Sequence, residues 1–205
     1  ALSSTFGFLI KKNSAQSISY DIDELIFYYF YATAYSETYR SRYAEFLRMD
    51  YPRFPMPRKS ELFFSLANLG QQLTSLHLLE LSNQNDAPLF FGSSDTSIQR
   101  VGWSDSTVWL DAAKTNARDG HRGIKSGTSG FKDVPEEVWN FHIGGYQVCH
   151  KWLKDRKSRT LSEDDITHYQ KIIVAIRETI RIMGEIDEVI EEHGGWPEAF
   201  QTSAD

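Results

Sequence analysis

Hydrophobic positions in the N-terminal part of the chain follow the 3.6-residue period of a helix. A first helix is predicted to begin at Asp21, because this residue and Glu24 form a capping-box pattern. The run that follows, 25–32, is apolar nearly all round, which predicts a deeply buried helix. A second helix is predicted over 36–51, where Pro52 stops it, and a third from Ser60 to Leu81 with leucines along one stripe. The pattern predicts a compact helical module.

From Asn83 onward the pattern changes to short β-prone runs. Three of them, 89–91, 98–103 and 107–110, are divided by Gly, Ser, Asp and Pro, as in a small twisted sheet. The stretch 111–133 is polar and predicts a long loop, and loops of this length in compact domains are usually functional or disordered. An aromatic run follows it and contains a Gly-Gly turn.

The last element is predicted to be a long helix over 161–194. Ser162 is a favourable N-cap, and three acidic residues after it suit the positive end of the helix dipole. Large apolar residues then recur at spacings of three and four, forming a heptad-like seam that breaks at Asp187. The Gly194-Gly195 pair ends the helix.

These patterns predict an α+β fold, with a small twisted β-sheet whose loops face a ligand and a helical module that ends in one long C-terminal helix. We expect N-terminal strands and the helical module in 1–82, the sheet and loop region in 83–160 and the long helix in 161–194. Because the chain opens in mid-pattern without a methionine, we interpret 1–205 as a fragment of one domain of a longer protein.

The distribution of charge decides which partners are compatible with this fold. The net charge is −6, but 160–205 contains three basic and eleven acidic residues, and 114–132 contains five basic residues against Asp119 alone. Since the local field governs attraction to phosphate, the acidic total does not exclude nucleic acid. A single cysteine, Cys149, and the lack of any membrane-length apolar run predict a cytoplasmic protein without membrane contact.

Motifs for catalysis are missing from the sequence. Neither a phosphate-binding glycine loop nor the [DNS]PP[YF] motif of amino-methyltransferases occurs, and the six histidines form no HExxH or HxxxH pair. Asp111 and Lys114 resemble a nuclease carboxylate–lysine pair only superficially, because the spacing is wrong. The sequence therefore predicts no catalytic residues, no metal site and no cofactor.

A binding site for duplex DNA is predicted in the polar stretch, because its amide, hydroxyl and guanidinium donors are the groups that contact phosphates and base edges. Arg118 and Arg122 are expected to read bases, since the planar guanidinium fork matches guanine, and the lysines to hold phosphate. The alternative is a solvated surface loop without a ligand. The predicted DNA-binding residues are Arg100, Lys114, Asn116, Arg118, His121, Arg122, Lys125 and Lys132.

Two blocks of sequence resemble a known family. Residues 20–57, from Tyr-Asp-Ile-Asp-Glu-Leu to Asp-Tyr-Pro-Arg-Phe-Pro-Met-Pro, are similar to the C-terminal part of type ISP restriction-modification enzymes. The same holds for the block that begins Val-Trp-Asn-Phe-His-Ile-Gly-Gly-Tyr-Gln-Val at Val138 and continues through Trp-Leu-Lys-Asp-Arg-Lys-Ser-Arg to Asp187.

The resemblance implies a target-recognition domain that reads duplex DNA. In that family one polypeptide also contains a nuclease, a helicase-like motor and an adenine-N6 methyltransferase, which would be its partners. Two alternatives stay open at this point. The long helix could dock a partner subunit in a protein-interaction scaffold without DNA contact, or the segment could complete a neighbouring methyltransferase site.

Overall fold

The structure, a computed structural model, describes residues 21–80, 87–93, 96–114 and 124–200. The chain divides into two compact units. The helical unit takes the residues up to 78 together with those from 179 onward, and the sheet unit takes 79–178. The N-terminal strands, which are expected before the first helix, lie outside the described residues.

The elements confirm the predicted α+β class. Helices α1 (Ile22–Tyr35), α2 (Glu37–Arg42), α3 (Ala44–Met49) and α4 (Ser60–His77) belong to the helical unit. The sheet unit contains β1 (Phe90–Phe91), β2 (Gly102–Ser104), β3 (Thr107–Trp109), β4 (Ala113–Lys114), β5 (Ile124–Lys125), β6 (Gly130–Lys132), α5 (Glu136–Trp139), β7 (His142–Ile143), β8 (Tyr146–Gln147) and α6 (Val148–Lys154). The long helix α7 (Glu163–Glu192) contributes 163–178 to the sheet unit and 179–192 to the helical unit.

Aromatic side chains form much of the core of the helical unit. Tyr29 of α1 is fully buried against Phe63 of α4, with the two ring centroids 5.1 Å apart. The hydroxyl of Tyr29 donates to the carbonyl of Pro55, and that of Tyr39 donates to the carbonyl of Arg53 at 3.0 Å. Burial accordingly raises the pKa of both tyrosines. The tyrosine hydroxyls thus hold the extended proline-rich stretch against the helices.

Helix α2 begins at a cap to which a residue far away in the sequence contributes. Ser36 is its N-cap and accepts from the amide of Tyr39 at 3.0 Å. Asp187 of α7 receives the Ser36 hydroxyl and the amides of Glu37 and Thr38, each amide at 3.1 Å. A carboxylate at this point satisfies backbone donors that a helix leaves unpaired. Asp187 therefore interrupts the apolar seam of α7 because its carboxylate is needed at the start of α2.

In the sheet unit, four strands pair antiparallel in the order β1-β6-β3-β2. Phe131 of β6 lies opposite Val108 of β3, and both are fully buried on the inner face of the sheet. The ring of Phe131 contacts that of Tyr169 in α7, with centroids 4.7 Å apart. The Tyr169 hydroxyl donates to the carbonyl of Cys149 at 3.2 Å, which ties α6 to the same core.

Both ends of α7 follow the sequence prediction. The hydroxyl of Ser162 accepts from the amide of Asp165 at 3.1 Å, and the Asp165 carboxylate accepts from the amide of Ser162 at 3.3 Å, a reciprocal capping box. At the other end Gly194 and Gly195 have positive φ angles, and the amide of Gly195 donates to the carbonyl of Ile190 at 3.0 Å.

Other predicted boundaries are wrong. The second helix divides at Tyr43 into α2 and α3. The third helix ends at His77 rather than Leu81, and Leu79 has a left-handed φ of 58°. The polar stretch 111–133 is not one loop, because β4, β5 and the central strand β6 lie within it.

Helices α1 and α4 approach so closely at Gly70 that a Cβ atom there would lie 1.9 Å from the carbonyl oxygen of Tyr28. We expect Gly70→Ala to lower the free energy of unfolding by about 1–3 kcal/mol, because the helices must move apart to admit the methyl group. Chemical denaturation followed by circular dichroism measures the change.

Gly184→Ala is the matched control for this substitution. Gly184 lies in the interior of α7 with no atom within 4 Å of the added Cβ. The same methyl group should raise stability there by about 0.5–1 kcal/mol through helix propensity. If the two variants changed stability in the same direction, close packing at Gly70 would not be the cause.

Candidate nucleic-acid interface

A two-stranded ribbon carries the polar stretch in which the DNA contacts were predicted. Strands β4 and β5 pair antiparallel, with Ala113 opposite Lys125 and Lys114 opposite Ile124. The backbones of Lys114 and Lys125 therefore lie beside the two ends of 115–123. The predicted contact residues between them lie outside the described residues: Asn116, Arg118, His121 and Arg122.

The carboxylate of Asp111 holds the base of this ribbon together. Its oxygens accept from the Thr128 amide at 2.9 and 3.0 Å, from the Thr128 hydroxyl at 2.6 Å and from the Ser129 amide at 3.1 Å. A Cβ at Gly127 would lie 2.1 Å from the same carboxylate, so glycine permits the close approach. Partial burial opposes ionisation of Asp111, but the hydrogen bonds from Thr128 and Ser129 outweigh it and lower its pKa. Asp111 is a structural acceptor here.

Arg100 lies at the same base. It forms an isolated parallel bridge with Asp111, and its carbonyl accepts from the amide of Ala112 at 2.9 Å. Its side chain is exposed. The structure thus brings one predicted contact residue beside the ribbon that carries most of the others.

Lys132 lies on the outer face of the four-stranded sheet. Its ammonium group is 4.9 Å from the ring centroid of Phe91, a cation–π contact. Phe91 packs edge-on against Trp109, and the indole N–H of Trp109 donates to the Ser104 hydroxyl at 3.0 Å. This face combines half-buried rings with an exposed cation, while the opposite face packs in the core.

Sequence reasoning missed the exposure of the β7–β8 hairpin. Of the aromatic side chains around it, Trp139 and Phe141 are half-buried, as is Trp152 of α6. Tyr146, however, is 63% exposed, and Ile143 is 51% exposed. The Gly144-Gly145 turn was the available signal, because a tight hairpin turn places its flanking residues at the surface.

Within the described residues, no group of three or more His, Cys, Asp or Glu side chains is arranged to hold a metal ion. No helix among them combines the length and the apolar character needed to cross a bilayer.

Comparison with known proteins places this architecture in a family. The model of the type ISP C-terminal specificity domain matches residues 9–185. The chain therefore belongs to the type ISP C-terminal specificity domain family. A search of curated proteins found no match.

Solved structures share the fold at low sequence identity. A DrdV–DNA complex aligns with a TM-score of 0.60 and 19% identity over 90% of this chain and 19% of that chain. A nuclease-deletion mutant of the type ISP restriction-modification enzyme LlaGI, in complex with a DNA substrate mimic, aligns with a TM-score of 0.51 and 19% identity. That alignment covers 87% of this chain and 14% of the LlaGI chain. The ATP-dependent type ISP restriction-modification enzyme LlaBIII bound to DNA aligns with a TM-score of 0.53 and 17% identity, over 85% of this chain and 12% of the LlaBIII chain. The chain thus spans less than a fifth of each of these proteins.

The Asp111 contacts predict a pH-dependent contribution to stability. Asp111→Ala should lower the free energy of unfolding by about 1–2 kcal/mol at neutral pH, because the buried Ser129 amide loses its acceptor. The folded-state pKa of Asp111 is below its usual 3.8, so this stability is present above pH 3.8 and is lost as the pH falls below it. Urea titrations at neutral and acidic pH test this expectation.

The control is Glu188→Ala, which removes an exposed carboxylate of α7. It should leave stability within about 0.5 kcal/mol of wild type. A difference between wild type and Asp111→Ala that stays constant into strong acid would contradict the assigned role of the carboxylate.

Proposed function

We propose that this chain recognises a specific sequence in duplex DNA, as the specificity domain of a larger restriction-modification protein. The observation that carries the proposal is the β4–β5 ribbon, fixed at its base by Asp111, in a chain that belongs to a specificity-domain family. An anchored ribbon suits groove readout, since a two-stranded ribbon fits the major groove. The solved structures of similar fold are DNA complexes, which supports the same assignment.

The contact residues divide by chemistry. Arg118 and Arg122 supply planar forks for guanine, and Asn116 supplies the amide that pairs with adenine. The lysines of the ribbon, together with Lys132 and Arg100, supply charge for phosphate, and His121 adds a further donor. Recognition of this kind needs neither a metal nor a cofactor.

The chemistry of the parent protein would come from other domains of the same polypeptide. We infer an adenine-N6 methyltransferase and a helicase-like motor with a nuclease as those domains, acting in the cytoplasm. The sequence of this chain supports a non-catalytic role, because it lacks the methyltransferase and phosphate-loop motifs.

The packing of α7 argues against the scaffold alternative. Its seam residues Tyr169, Ile173, Ile176, Met183 and Ile190 are all buried. Tyr169 packs on Phe131 in the sheet unit, and Ile190 belongs to the core of the helical unit. The apolar stripe that would have to dock a partner helix is therefore already covered by the chain itself.

Selection from a random duplex pool, followed by titration of the enriched duplex and a scrambled duplex, tests the proposed function. Arg118→Ala with Arg122→Ala should weaken binding of the enriched duplex by about 1–3 kcal/mol per lost base contact and relax preference at the positions read. Binding of the scrambled duplex should change much less.

A variant with Arg40→Ala and Arg42→Ala removes the same charge from the exposed surface of α2 and serves as the control. It should retain the sequence preference. If the Arg118/Arg122 variant discriminated between the two duplexes as well as wild type, these arginines would not be the readers.

A further inference from the structure

A basic surface separate from the β4–β5 ribbon begins at the β7–β8 hairpin. We call residues 142–159 the basic arm; it comprises the hairpin, α6 and the turn after α6. The arm contains five Lys or Arg residues and one acidic residue, Asp155, so its formal charge is +4 in a chain of net charge −6. Acidic residues resume only at Glu163, the first residue of α7.

The tip of the arm, residues 143–146, exposes two apolar side chains, and the base of the hairpin below it is hydrogen-bonded. Ile143 and Tyr146 lie opposite each other across the hairpin and are 51% and 63% exposed. The Gln147 side chain donates to the carbonyl of Trp139 at 2.6 Å, and the amide of Val148 donates to the carbonyl of Phe141 at 3.2 Å. These bonds tie the base of the hairpin to α5 and to the residues that follow it.

Two cations of the arm are used internally. Lys151 pairs with Asp155 and lies 5.9 Å from the ring centroid of Tyr146. Arg156 stacks on Trp152 at 3.6 Å and pairs with Asp165 at 3.4 Å. Both side chains therefore brace the arm.

Three other cations point outward without a carboxylate partner among the described residues: Lys154, Lys157 and Arg159. The turn that carries two of them is bonded to the segment before β2, with the Ser158 amide donating to the carbonyl of Ile98 at 2.7 Å and the Ile98 amide to the carbonyl of Arg159 at 2.9 Å. Ser158 adopts a left-handed φ of 66° in this turn. Partial burial and then the charge of Lys154 lower the pKa of His150, in keeping with a positive local field.

We propose that the basic arm is a second DNA contact, which grips the duplex independently of sequence. Lys154, Lys157 and Arg159 bind backbone phosphates, while Ile143 and Tyr146 pack along the wall of the adjoining groove. The seven residues of α6 separate the tip from the turn by about 10 Å, close to the roughly 12 Å width of the major groove. A tip within the groove therefore places the turn at its phosphate edge.

This inference rests on the proposed function, and the salt dependence of binding tests it. Counterion release makes the slope of log K against log salt fall by about 0.9 for each phosphate contact. We expect the full chain with Lys154→Ala, Lys157→Ala and Arg159→Ala to lose about three units of slope on the enriched and the scrambled duplex alike. The tip variant, Ile143→Ala with Tyr146→Ala, should weaken both duplexes at an unchanged slope, because apolar contacts release no counterions.

The matched control removes three exposed arginines of the helical unit, Arg40, Arg42 and Arg48, by substitution with alanine. Its slope should stay within one unit of wild type. An unchanged slope in the arm variant overturns the inference, because the three cations then make no phosphate contacts. An equal loss in the control also overturns it, because the effect is then one of net charge.

Failure of the proposed function has a different signature. A wild-type chain that binds the enriched and scrambled duplexes equally well does not read sequence, whatever the arm does. The slope comparison is unaffected by that result, since it is made on each duplex separately.

Discussion

Burial of the apolar stripe of α7 is the constraint on which the other elements depend. A helix of thirty residues with large apolar side chains along its length is stable only where that stripe is covered, because each such side chain contributes about 1.5–3 kcal/mol when buried. In the sheet unit, Phe131 and the α6 backbone cover Tyr169. In the helical unit, Ile182, Ile186 and Ile190 enter the aromatic core of α1 and α4. The apolar seam of α7 is therefore covered by side chains of the same chain. The surfaces left for a ligand are strand ends, turns and loops.

In the proposed function, those surfaces take two separate tasks. Guanidinium and amide groups concentrate in the polar stretch between β4 and β5, where donor geometry can discriminate bases. Ammonium and guanidinium groups without carboxylate partners in the described structure lie at the end of α6 and in the turn after it, where the proposal assigns them to phosphates. The acidic residues that make the whole chain negative are gathered in α7 and beyond it. Net charge is thus a poor guide to the ligand, and the position of each charge in the fold is a better one.

The sequence predicted what depends on neighbours along the chain. The N-cap at Ser162, the glycines after α7 and the leucine stripe of α4 are local signals, and the structure confirms them. Strand β6 was missed because three residues, one of them glycine, give too short an alternation to recognise, and its buried Phe131 is defined by partners on β1 and β3. The role of Asp187 and the exposure of Tyr146 depend on tertiary contacts, which no local pattern encodes. The ribbon was predicted only as a loop, although its charged residues were identified.

The cap that Asp187 places on α2 has a consequence for synthesis of the protein. Ser36 and Asp187 are 151 positions apart, and the carbonyl of Ala199 accepts from the amide of Arg58. The helical unit therefore closes around both ends of the described chain, whereas the sheet unit is one uninterrupted insertion. On the ribosome, the insertion has most of its partners before the helical unit can be completed, so α2 acquires its native start only after α7 has emerged. Contiguity also makes the insertion a unit that recombination can exchange whole, which would give a lineage new reading surfaces on an inherited helical frame.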